Sequence, residues 1–118
     1  MAGACATILK AAFDGSVPFN SLKAGAIVTA NEDGTSLLAY NTGDQDQITV
    51  NGEINKLASN IGQARDFAGI HWRSDYAQGL LLGEAAALSV LRDQSNNYVG
   101  EDFEGFTIKK FDGTTITV

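Results

Sequence analysis

The chain has 118 residues, 44% of them apolar, which is enough for one hydrophobic core and no more, so it reads as a single domain or a piece of one. Fourteen acidic residues against 8 basic ones give a formal charge of -6, which excludes a nucleic-acid surface: neutralising phosphates needs clustered Lys and Arg, and only Lys109-Lys110 stand together. A single cysteine excludes an internal disulfide, and no apolar run reaches the roughly 18 residues of a membrane span.

Residues 2–13 (AGACATILKAAF) are small, apolar and good helix formers, and Asp14-Gly15 ends them. They predict a short, largely buried helix in which Cys5 acts as a small hydrophobe. From Ser16 to Gly34 the one proline, Pro18, with Gly25 and Gly34 suits a long connection that packs against something else. Ser36 to Tyr40, a turn-rich run from Asn41 to Gln47, and Ile48-Thr49-Val50 read as a first β-hairpin.

Two stronger helices follow. Ile54, Leu57, Ala58, Ile61, Ala64 and Ala68 recur at three- and four-residue steps from about Gly52 to Ala68, and Arg65 falls on that stripe. The next runs from about Asp75 to Asp93, with Asp75 and Gln78 spaced like a capping box and with Gly79 and Gly83 small enough to admit another backbone. A second hairpin closes the chain, from Phe106 to Phe111, through Asp112-Gly113, to Thr114–Val118. Phe106, Ile108, Ile116 and Val118 give it one buried face. The expectation is a mainly α partial helical bundle with two small β-hairpins.

Arg65 carries a permanent charge onto an apolar stripe, so it needs a carboxylate such as Asp66, Asp75 or Glu84, or else an anionic ligand. His71, the only histidine, comes six residues later, and Asp75 four after that. Taken singly, His71 reads as a satisfied, partly buried imidazole, Asp75 as a helix N-cap, Arg73 as an exposed cation and Trp72 as core.

Together, Ala64-Arg65-Asp66-Phe67-Ala68-Gly69-Ile70-His71-Trp72-Arg73-Ser74-Asp75 resembles the last signature block of the phosphatidic-acid phosphatase type 2 superfamily: Ser-Arg, five residues, His, three residues, Asp. Ala64 stands where that serine is usual. The phrase from Phe67 to Asp75 looks most like the algal and bacterial bromoperoxidase-like branch of the vanadium-dependent haloperoxidases. Ala2 to Lys10, Gly52 to Asn60 and Lys110 to Thr115 look similar to the same branch, so the resemblance covers nearly the whole chain.

The resemblance implies a vanadate held through His71, its oxygens neutralised by Arg65, with Asp75 orienting the imidazole or a neighbouring cation. It implies halide and hydrogen peroxide as substrates and hypohalous acid as product, with vanadium acting as a Lewis acid. A structural calcium is a further implication, although Asn31-Glu32-Asp33 and Asp44-Gln45-Asp46 read as ordinary polar loops.

Two family blocks have no counterpart here. Lys followed after six residues by Arg-Pro is excluded because Val17 precedes the sole proline, and Pro-Ser-Gly-His is excluded because Ile70 precedes the sole histidine. By the family pattern the chain starts just downstream of the second block. The expectation is therefore a carboxyl-terminal portion of the catalytic domain, inactive alone, with exposed apolar surface and either homo-oligomerisation or a need for the upstream segment. The alternatives are a phosphomonoester hydrolase with His71 as nucleophile, and a non-catalytic assembly fragment.

Overall fold

A computed structural model describes every residue except Lys23, Ala24, Ala26, Val99 and Glu101, the first three of which fall within the expected long connection. Among the described residues the chain forms helices α1 (Ala2–Ala12), α2 (Phe19–Leu22), α3 (Val50–Phe67) and α4 (Arg73–Asn96), strands β1 (Val28–Ala30), β2 (Leu37–Ala39), β3 (Thr107–Lys109) and β4 (Thr115–Thr117), and a 3-10 turn at Gln45–Gln47. The fold is mainly α with two antiparallel two-stranded hairpins.

Helix α1 is the centre of the packing. Gly3, Ala6, Thr7 and Lys10, at helical spacing, are its buried face. Gly3 lies so close to α4 that a Cβ there would sit 2.2 Å from the Leu80 carbonyl oxygen, and a Cβ on Gly83 would sit 2.7 Å from the Ala4 backbone nitrogen. Two glycines thus set the distance between α1 and α4. Gly83 fulfils the expected close approach, whereas a Cβ on Gly79 would meet nothing within 4 Å.

The carboxyl-terminal hairpin covers the far end of α4. Ile108 pairs with Ile116 and is buried against Leu88 and Leu91, with Phe106, Ile116 and Val118 packed around them. Glu84, itself buried, accepts the Phe111 backbone N–H at 2.7 Å, and the ammonium of buried Lys10 lies 3.8 Å from the Phe111 ring centroid. Burial pushes the Lys10 ammonium below its ordinary pKa, and the nearby Glu84 charge partly opposes that. This cluster ties α1, the middle of α4 and the hairpin together.

Three expectations need correction. The first hairpin pairs β2 with β1, Thr29 opposite Leu38, inside the stretch expected to be irregular; α2 lies there too. Ile48-Thr49-Val50 does not pair with β2: Thr49 makes an isolated antiparallel bridge with Pro18, and its hydroxyl accepts the Gly52 N–H and starts α3. Helix α1 is buried on one side only: Cys5, Ile8 and Leu9 are exposed.

Candidate active site at the turn between the two long helices

The turn between α3 and α4 is specified by its own backbone bonds. Gly69 has φ 72°, its N–H donates to the Asp66 carbonyl at 2.9 Å, and the Ile70 N–H donates to the Arg65 carbonyl at 3.2 Å. That double closure around a left-handed glycine stops the helix and satisfies its last carbonyls. Three residues after Gly69 the chain re-enters a helix at Trp72, whose backbone N–H donates to Asp75 Oδ2 at 3.1 Å. Asp75 is thus not the N-cap but the third residue of α4, where a carboxylate both satisfies an unpaired N–H and meets the positive end of the helix dipole. Helix α4 begins at Arg73, two residues earlier than the sequence suggested.

This short turn brings together all three candidate residues. Arg65 Nη2 lies 3.3 Å from His71 Nε2, and His71 Nδ1 lies 3.4 Å from Asp75 Oδ2. The guanidinium can only donate, so Nε2 accepts and the ring proton is assigned to Nδ1, facing Asp75. Asp75 therefore serves two partners, the start of α4 and the imidazole. The His71 and Asp75 side chains are 43% and 49% exposed, so solvent screens their attraction.

These residues border a cleft of about 300 Å³, with Ile61 and Gly62 on α3, Tyr76 and Leu80 on α4 and the start of α1 forming its other walls. Arg65 is exposed rather than buried on the stripe, because α1 covers α3 only around Ala58 and leaves Leu57 and Ile61 open. Its partner is His71, and Glu84 is committed to Phe111. Trp72 is 80% exposed and Phe67 97%, so neither is core.

The sequence offered Asp66 only as a partner for Arg65 and did not single out Tyr76. Asp66 Oδ1 is buried beside the cleft with no hydrogen-bond partner, so two carboxylates, Asp66 and Asp75, face the same space as Arg65. Tyr76 forms part of the wall by resting on α3. Gly62, one turn before Arg65, was the available signal for such a contact.

An imidazole with an accepting Nε2 beside a forked cationic donor can hold a tetrahedral or trigonal oxyanion: the ring nitrogen binds its central atom and the guanidinium its oxygens. Among the described residues no group of three or more His, Cys, Asp or Glu side chains gathers as a conventional cation site. Asp33 and Asp44, from the two loops considered for calcium, accept hydrogen bonds from Thr35 and Thr42 within their own turns. No helix is long and apolar enough to cross a membrane, among the described residues.

No family model matches the chain. Known proteins do. The chain is 42% identical over all 118 residues to the vanadium-dependent bromoperoxidase of Corallina pilulifera, and equally so to that of Corallina officinalis. It is 40% identical over 77 residues, 60% of its length, to the vanadium-dependent bromoperoxidase of Ascophyllum nodosum. It spans 18% of the length of each Corallina protein and 14% of the Ascophyllum protein. From end to end, the chain is related to one stretch of the vanadium-dependent bromoperoxidases.

Proposed function

We propose that this chain contributes the vanadate-ligating histidine and one oxyanion-binding arginine to a haloperoxidase that oxidises halide, bromide foremost, with hydrogen peroxide to hypohalous acid. The observation that carries the reading is His71 held between Arg65 and Asp75 at the border of the cleft, with Nε2 beside the guanidinium and Nδ1 beside the carboxylate.

The residues fit half of such a site. His71 would bind the metal through Nε2. Arg65 would turn from the imidazole to the vanadate oxygens, exchanging one acceptor for others of full negative charge. Asp75 would keep the proton on Nδ1 and the ring in plane, which raises the basicity of the ligating nitrogen. Bound vanadate would supply a Lewis-acid centre that activates peroxide without changing oxidation state. Arg65 alone does not balance an oxyanion in a cleft that also holds Asp66 and Asp75. The further cations, and any acid–base group, would come from the larger part of the relatives' length that this chain does not span.

The phosphatase reading uses the same atoms, with Nε2 attacking phosphorus. The relatives' names support the peroxidase instead. A chimaera separates them: these 118 residues replace the matched stretch of the Corallina pilulifera protein. Bromination of a phenol-red dye with bromide, peroxide and vanadate is the expected activity, lost in His71→Ala. A chimaera that hydrolyses nitrophenyl phosphate but brominates nothing would overturn the proposal.

A further inference from the structure

Arg65 and Asp75 belong to different helices, and His71 can bridge them only if α3 and α4 keep their spacing at the turn. Helix α1 packs on both, and its tight glycine approaches to α4 lie at Leu80 and Gly83, beyond the first turn of α4. One side chain spans α3 and α4 where the spacing matters. The Tyr76 ring lies directly on the α3 backbone at Gly62: a Cβ built there would sit 2.3 Å from Tyr76 Cδ2 and 2.8 Å from Cε2. Its hydroxyl is 2.8 Å from Ser59 Oγ, which also accepts from Gln63 Nε2 at 3.1 Å.

We infer that Tyr76 is a positioning residue for the candidate site, a strut that sets the distance between Arg65 and the His71–Asp75 pair. The geometry supports this in three ways. Tyr76 follows Asp75 directly, so displacing its ring moves the first turn of α4 and with it the carboxylate facing Nδ1. Ser59, Gly62 and Arg65 succeed one another at three-residue steps, so the strut bears on the same side of α3 that presents the guanidinium. Tyr76 and Gly62 are also walls of the cleft that holds all three residues. The contact is a matched pair: the ring fits because residue 62 has no side chain, and glycine, which otherwise weakens a helix interior, is required because the ring is there.

The inference rests on the proposed role of His71, and one measurement distinguishes the failure of either. In the 118-residue chain with ¹⁵N-labelled histidine, the two His71 ring nitrogens are read by NMR at neutral pH. Wild type is expected to show one protonated and one unprotonated nitrogen, the signature of a fixed tautomer. Gly62→Ala, which pushes the ring off α3, and Tyr76→Leu, which removes the ring edge and hydroxyl, should both merge the two signals towards an average. Tyr76→Phe, which keeps the ring on Gly62, should retain most of the separation. Circular dichroism on the same samples reports whether α3 and α4 persist.

A wild-type chain with averaged nitrogens would overturn the underlying reading of the site. A fixed tautomer in wild type that survives in both Gly62→Ala and Tyr76→Leu would overturn the positioning role alone. Unfolding of both variants would also overturn it, since the contact would then be holding the chain together rather than aiming His71.

Discussion

Arg65 Nη2 stands 3.3 Å from His71 Nε2, and this contact with a group that can only donate assigns the ring proton to Nδ1 and the lone pair to Nε2. Replacing the planar fork with the point charge of Arg65→Lys loses the second donor, and Asp75→Asn removes the negative partner of Nδ1. In the Corallina chimaera each is predicted to weaken vanadate binding by about 10–100-fold, measured by equilibrium dialysis. Asp75→Ala should in addition cost about 1 kcal/mol of stability, because the Trp72 N–H at the start of α4 loses its acceptor.

The glycines on the α1–α4 seam and the glycine beside it should respond with opposite signs. Gly3→Ala and Gly83→Ala drive a methyl into the opposing backbone and are predicted to cost at least about 1–3 kcal/mol each. Gly79→Ala meets open space and gains roughly 1 kcal/mol of helix propensity. Urea unfolding of the three variants checks the contrast.

Leu57 is 55% exposed and Ile61 53%, and with Leu9 and Ile54 they line an apolar groove along the α1–α3 seam. Open apolar surface of this extent drives association. The isolated chain is predicted to sediment as oligomers at micromolar concentration, and Leu57→Lys with Ile61→Lys should shift it to monomer. Sedimentation velocity of a monomeric wild type would contradict this.

Acid should weaken the fold through its turns. Lys110, followed by Thr114, holds the Asp112 carboxyl well below the ordinary range, and Ser16, Thr35 and Thr42 do the same for Asp14, Asp33 and Asp44. A depressed folded pKa contributes stability that is present above the ordinary value of 3.8 and lost as pH falls through the folded value. Urea midpoints should therefore drop below about pH 4. Asp112→Asn should make that drop shallower while lowering the midpoint at neutral pH.

Much of this was legible in the sequence, for physical reasons. The long helices announce themselves by period, and the last hairpin by Asp112-Gly113 between alternating apolar residues. Arg65, His71 and Asp75 were legible as a spacing, because a helix end, a left-handed Gly69 and a helix start bring them together by local geometry alone. The buried face of the last hairpin was legible from its alternation, but the burial of the α3 stripe was not, because period alone does not say what packs on it: Ala58 is buried and Leu57, Ile61 and Arg65 are exposed. The first hairpin was misassigned because Ile48-Thr49-Val50 has β-branched composition while Thr49 is needed as a helix cap. Tyr76 was illegible because its role depends on the absence of a side chain at Gly62, on another helix.

The central claim, that His71 is the vanadate ligand, is tested most directly by vanadium content. The Corallina chimaera is loaded with vanadate, dialysed exhaustively and analysed for metal beside its His71→Ala variant. Retention of stoichiometric vanadium by the chimaera and its loss from His71→Ala is the predicted result. Equal retention by the variant would contradict the account.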